Sequence, residues 1–170
     1  MSTDIHWRQK DWVKNLLWTV AVLVLFFGIR AWQQQAMPKG MAPSFSGATV
    51  SGKTVSLSDY RGKPLMLYFW ASWCKICEFE QKSILSIAED YPVLSVALRS
   101  GNALQLGKYM REHNFHITAI VDEFGVIAGS YGIKGTPTAL FIDADGEIRS
   151  VEVGYTSEIG MRIRLWLAGI

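Results

Sequence analysis

WASWCKIC, Trp70 to Cys77, holds both cysteines of the 170-residue chain, spaced as CxxC directly after the apolar run LMLYFW, Leu65 to Trp70. Six apolar residues in a row behind Pro64 read as a strand buried on both faces. After Cys74 the period changes: Cys77, Glu80, Ile84, Ile87 and Tyr91 share one helical face. A strand passing through a short loop into a helix puts Cys74 at the helix N-terminus, where unpaired N–H groups and the helix dipole favour an anion.

Three chemistries compete for such a pair. As a structural staple it closes so small a loop that it removes little entropy from the unfolded chain. As half of a metal site it supplies two soft ligands, and His113 and His116 would complete a Cys2His2 set, although nothing in the sequence aims them at the cysteines. As a redox pair, Cys74 is the attacking sulfur with thiolate character and Cys77, one turn inside the helix, the resolving thiol. Lys75, between them, adds a cation that favours the thiolate. Soft thiolates also select Cu(I), so a copper- or zinc-binding protein stands beside the redox reading as an alternative from another class.

Working outward, the sequence predicts an α/β domain with a central mixed sheet. Ahead of the cysteines, a Ser51-Gly52 turn joins Ala48–Val50 to Thr54–Leu57 as a small N-terminal β-hairpin. Behind them come a strand over Val93–Leu98, a helix over Ala103–His113, a strand over His116–Asp122 and a short helix within EFGVIAGSYG. Thr138–Asp143 pairs with Glu147–Gly154 across the Ala144-Asp145-Gly146 turn. In the last segment, SEIGMRIRLWLAGI, residues Ile159, Ile163, Trp166, Leu167 and Ile170 fall on one helical face.

The N-terminus is of a different kind. The run NLLWTVAVLVLFFGI, Asn15 to Ile29, carries no charge, and as a helix it rises about 22 Å against a hydrocarbon core of roughly 30 Å. Lys14 and Arg30 snorkel towards the interfaces and Trp12, Trp18 and Trp32 act as aromatic belts, so the expected span is 12–32. Arg30 follows the run at once and no small-x-small site lies near it, which favours an uncleaved signal anchor over a cleaved signal peptide. Arg8, Lys10 and Lys14 precede the uncharged run, against Arg30 and Lys39 close behind it, a balance that leans towards an N-terminus inside. The expected order is a cytoplasmic segment 1–11, a transmembrane helix 12–32, a Pro- and Gly-bearing tether 33–44 and a domain 45–170 outside the cytoplasmic membrane. A net charge of +2 is too neutral to suggest a nucleic-acid partner.

FWASWCKIC followed by GTPTALFID resembles the thioredoxin superfamily, and APSFSGATVSGKTVSLSDYRGKP ahead of the motif resembles its membrane-anchored TlpA-like branch. LYFWASWC, SVALRSG and GYTSEIGMRIRLWLAGI are similar to the anchored thioredoxin-like proteins of bacterial suppressor-of-copper-sensitivity systems, the ScsD type. The resemblance implies a thioredoxin fold and a redox-active Cys74–Cys77 disulfide, with no cofactor and no metal. It implies a cis Pro137 beside the pair, with Thr136 offering backbone groups to a partner. Trp73 matches the aromatic residue before the first cysteine, with core packing as its plainer role. Lys75 and Ile76 are the dipeptide between the sulfurs. Glu80 matches an acidic residue that tunes the thiols of TlpA-like reductases, with an exposed helix glutamate as the plainer reading.

Two residues depart from the pattern. Tyr68 stands where ordinary thioredoxins carry a buried aspartate, and Thr138 stands where cytochrome c maturation thioredoxins carry glutamate. The function expected is that of a periplasmic disulfide reductase, anchored as a single-pass protein of the bacterial inner membrane. It would act on substrate proteins with disulfides or thiols, draw electrons from an integral-membrane partner and serve copper or oxidative stress tolerance, with cytochrome c maturation as the alternative.

Overall fold

The computed structural model describes the backbone of residues 5–35 and 40–170 and the side chains of 12–28 and 40–170. In order, the chain forms α1 (Ile5–Gln35), β1 (Gly40–Met41), β2 (Ser46–Ala48), β3 (Thr54–Ser56), a 3-10 turn (Leu57–Tyr60), β4 (Leu65–Trp70), α2 (Lys75–Asp90), β5 (Val93–Leu98), α3 (Ala103–Glu112), β6 (Ala119–Asp122), α4 (Val126–Ser130), β7 (Thr138–Ile142), β8 (Glu147–Val153) and α5 (Glu158–Ala168). It divides into two compact units, Met1–Ala36 and Met37–Ile170.

The first unit is α1. Among the described residues no helix is long and apolar enough to cross a membrane. The described side chains of α1, residues 12–28, cover only about 26 Å of helix rise. Residues 1–4 of the segment 1–11 and residues 36–39 of the tether lie outside the described residues, as do the side chains of 5–11 and of 29–35, which include the C-terminal end of the span expected over 12–32.

In the second unit β4 is the central strand of a six-stranded mixed sheet, in the order β1-β8-β7-β4-β5-β6. It runs parallel to β5 and antiparallel to β7. All six of its residues are buried because both faces are covered. Met66, Tyr68 and Trp70 point to the side of α2, α3 and α5, where they meet Ile84, Ile87, Leu106, Phe115 and Leu165. Leu65, Leu67 and Phe69 alternate to the other side and meet Val55, Leu57, Ala128 and Tyr131. Trp70 packs edge-on against Phe115 at 5.0 Å, and its indole N–H donates to Ser95 Oγ.

A hairpin forms between β2 and β3, as a separate two-stranded sheet with Ala48 opposite Thr54, but its first strand is Ser46–Ala48, two residues earlier than the stretch read as Ala48–Val50. Strand β6 is shorter than the stretch read as His116–Asp122, beginning at Ala119, and its Asp122 has a structural task. This buried carboxylate accepts the backbone N–H groups of Ile127 and Ala128, satisfying the first turn of α4. Asp122→Ala orphans both donors and is expected to lower stability by about 2 kcal/mol, read as a lower urea midpoint with an unchanged m value.

One expectation is corrected. The domain begins before Phe45: Gly40–Met41 pairs with Glu147–Ile148, and Ala42 is buried with its N–H on Gly146 C=O, so 40–44 are part of the fold rather than tether. The apolar stripe read in the last helix is its exposed face. Ile159, Ile163, Trp166, Leu167 and Ile170 all face solvent, whereas Met161, Leu165 and Ala168 are buried. The rotation of α5 is held by Arg162, which bridges Asp90, Glu158 and Ser86, and by Arg164, which pairs with Glu152.

Candidate active site

The loop Ala71–Cys74 leaves β4 at its C-terminal end and turns into α2. Cys74 is the N-cap of that helix, and its Sγ accepts the backbone N–H of Cys77 at 3.2 Å. The two sulfurs are joined as a disulfide with Cα atoms 5.3 Å apart. Cys77 is 1% exposed and Cys74 8%, so the N-terminal sulfur is the more accessible of two shielded ones.

The Thr136–Pro137 peptide is cis, and Thr136 C=O lies 3.5 Å from Cys74 Sγ. Thr136 Oγ1 is buried without a hydrogen-bond partner. Pro137 C=O accepts the N–H of Gly154, which ties the loop after β8 to the proline. Thr138 Oγ1 donates to Gly135 C=O and holds the same turn from the other side.

The remaining candidates separate by burial. Trp73 is 62% exposed, with its indole N–H on Arg99 C=O, so it is a surface residue at the rim of the site and not a core one. Ile76 is exposed, and Lys75 points into solvent against Glu78 at 3.2 Å. Glu80 is the opposite of an exposed helix glutamate. It is 1% exposed, accepts the backbone N–H of Thr156 at 2.6 Å and accepts the hydroxyl of Tyr68 at 3.0 Å. Burial holds its carboxyl above the usual carboxylate range, although both hydrogen bonds pull the other way. Burial, reinforced by the neighbouring Glu80 charge, raises the Tyr68 hydroxyl as well, so this tyrosine acts as a donor and does not ionise.

His113, considered above as a metal ligand, stacks on Tyr109 at 4.0 Å and faces Glu78. Among the described residues no group of three or more His, Cys, Asp or Glu side chains is placed to hold a metal ion.

Sequence reasoning did not find the partners of Glu80, nor the loop that carries Thr156. One signal was present: a tyrosine inside an otherwise apolar buried strand needs a partner for its hydroxyl. The backbone N–H of Thr156 leaves no mark in residue identity.

The AhpC/TSA family model matches residues 38–151. A thioredoxin-like protein of Haemophilus influenzae is 38% identical over 121 residues, covering 70% of this chain and 72% of that protein. The thiol:disulfide interchange protein DsbE of Pseudomonas fluorescens biotype C is 36% identical over 125 residues, covering 72% of this chain and 70% of that one. Among solved structures, a putative thiol:disulfide interchange protein DsbE from Chlorobium tepidum superposes with a TM-score of 0.70 at 28% identity, covering 78% of this chain and 98% of that one.

Proposed function

Because this chain belongs to the AhpC/TSA family and is a thioredoxin-like thiol-disulfide oxidoreductase, we propose that it is a membrane-anchored periplasmic reductant of protein disulfides. The observation that carries the reductant reading is Glu80, a buried carboxyl one helical turn beyond Cys77 with its charge desolvated.

In the reduced enzyme Cys74 is the nucleophile. Its thiolate, stabilised at the N-terminus of α2, attacks one sulfur of the substrate disulfide. A mixed disulfide forms and the first substrate thiolate departs. Cys77 then gives up its proton, for which Glu80 is the acceptor, and attacks Cys74 Sγ. This releases the second substrate thiolate and leaves the Cys74–Cys77 disulfide. Two electrons have passed to the substrate, whose two thiolates take up one proton from Cys77 by way of Glu80 and one from solvent, to which Cys74 had already lost its own. Thr136 and Pro137 supply the edge along which an extended partner segment lies beside Cys74, and Lys75 adds positive charge near the departing thiolate.

The enzyme ends oxidised, so a membrane electron carrier must return two electrons each cycle. The uncharged run Asn15 to Ile29, inside the 31-residue helix α1 and flanked by Lys14, Arg30 and tryptophans, supports anchoring of the chain by residues 12–32 beside such a carrier. Closeness to the ScsD type, and with it a place in copper tolerance, rests on the sequence text of LYFWASWC and SVALRSG.

A glutathione redox titration of the purified protein tests the direction. The expected potential is near the −270 mV typical of thioredoxin, roughly 150 mV below the −120 mV of a strong oxidant. A value at the oxidant end would reverse the assignment.

A further inference from the structure

Three exposed apolar residues follow one another at intervals of three across the start of α2: Trp73, Ile76 and Phe79, at 62%, 49% and 74% exposure. Tyr155 extends the row. It is 51% exposed, and its ring lies 5.7 Å from that of Phe79. Large apolar side chains gathered in this way on a soluble face mark a place where another molecule is covered.

Tyr155 is not on a free loop. Its two neighbours are both fixed, Gly154 by its N–H on Pro137 C=O and Thr156 by its N–H on Glu80. Pro137 in turn follows Thr136, whose C=O touches Cys74 Sγ. The aromatic pair is therefore built on the same backbone that frames the disulfide, and it continues the surface any exchange partner must cover to bring a sulfur to Cys74.

The geometry points to the Phe79–Tyr155 pair as a docking ledge for an apolar side chain of the protein substrate, two positions from the half-cystine that Cys74 attacks. From Cys74 to Phe79 the helix rises about 7.5 Å. Residues i and i+2 of an extended strand are about 6.7 Å apart and point to the same side. For a segment laid along the start of α2 with its sulfur at Cys74, the side chain two positions away then comes to the level of Phe79, on the flank of the helix where Tyr155 lies. The occupant is an extended polypeptide, since a small disulfide such as glutathione disulfide is anchored only at the sulfurs. This inference rests on the protein-disulfide reading and deepens it, assigning substrate preference to residues outside the cysteine motif.

The test uses reduced full-length protein and three oxidised probes. One is glutathione disulfide. The other two are cyclic disulfide peptides that differ only in carrying Leu or Ser two positions from each half-cystine. The parent protein is expected to prefer the Leu peptide about tenfold in kcat/KM, through KM. In Phe79→Ala and in Tyr155→Ala that preference falls to within about twofold, with the rate on glutathione disulfide as the internal reference for an intact cysteine pair. No preference in the parent, a preference that survives in both variants, or a loss confined to kcat on all three probes overturns the ledge. Failure of the parent to reduce any of the three probes overturns the thiol-disulfide reading itself, a result separable from loss of the preference alone.

Discussion

Cys74→Ser is expected to abolish disulfide exchange, lowering kcat/KM about a thousandfold or more, because a serine hydroxyl at the same N-cap is un-ionised at neutral pH and leaves no sulfur to form the mixed disulfide. Cys77→Ser should behave differently. The first attack survives and the second cannot occur, so the enzyme accumulates covalently linked to its substrate. A gel without reductant distinguishes the two variants, with a stable heavier species for Cys77→Ser and none for Cys74→Ser. Equal trapping by both would contradict the assignment of the more exposed sulfur as nucleophile. The fold tolerates either change, since each replaces a sulfur by a smaller oxygen and the loop they close contributes little to stability.

Glu80→Gln is expected to slow turnover about a hundredfold at neutral pH, the scale of a lost general base, while leaving the architecture intact. The amide oxygen still accepts from Thr156 N–H, and Tyr68 rotates to accept from the amide nitrogen. The pH dependence separates the proton from the packing. The Glu80 carboxyl must be ionised to take the Cys77 proton, and burial raises its titration above the usual carboxylate range. Activity in the parent should therefore climb with pH through that raised value, a limb that Glu80→Gln lacks.

Stability runs in the opposite sense. A carboxyl whose pKa is raised on folding contributes fully below its unfolded value of 4.5. That contribution is lost as pH rises through the folded value. Urea midpoints of parent and Glu80→Gln should diverge in favour of the variant from about pH 4 upward. Parallel curves would mean that folding leaves the Glu80 pKa unshifted, and divergence in favour of the parent that it is lowered.

The parts of this site that were legible in the sequence are those whose physics is local. LMLYFW passing into CxxC specified a buried strand, a turn and a helix N-terminus within sixteen residues, Leu65 to Glu80. Where the backbone returns to it, at GTPTALFID, was marked by the resemblance to thioredoxins. What stayed hidden depends on pairings far apart in the chain. Nothing near Gly40 announces that it will lie beside Ile148, and nothing near Tyr155 announces an aromatic partner on α2. The inward face of helix α5 stayed hidden for a related reason. Beside the apolar face read from its period it carries a second one, Met161, Leu165 and Ala168. Only the contacts of Met161 and Leu165 with the sheet side of the domain, and the ion pairs of Arg162 and Arg164 beside them, decide which one turns inward. Tyr68 shows a departure becoming informative: a residue out of place in a familiar pattern turned out to hold the buried carboxyl of the site.

The two-residue strand β1 has a mechanical consequence. Through Gly40, Ile148, Ile142 and Leu65 it sits at the end of the sheet where β4 begins, and the cysteine pair follows the other end, after Trp70. Tension applied to the chain ahead of Gly40 therefore loads the short β1–β8 ladder first. A ladder of two residue pairs peels under less force than the five-residue pairings on either side of β4. Pulling on the chain ahead of Gly40 is therefore expected to detach β1 before β4, the Pro137 turn or the disulfide lose their register.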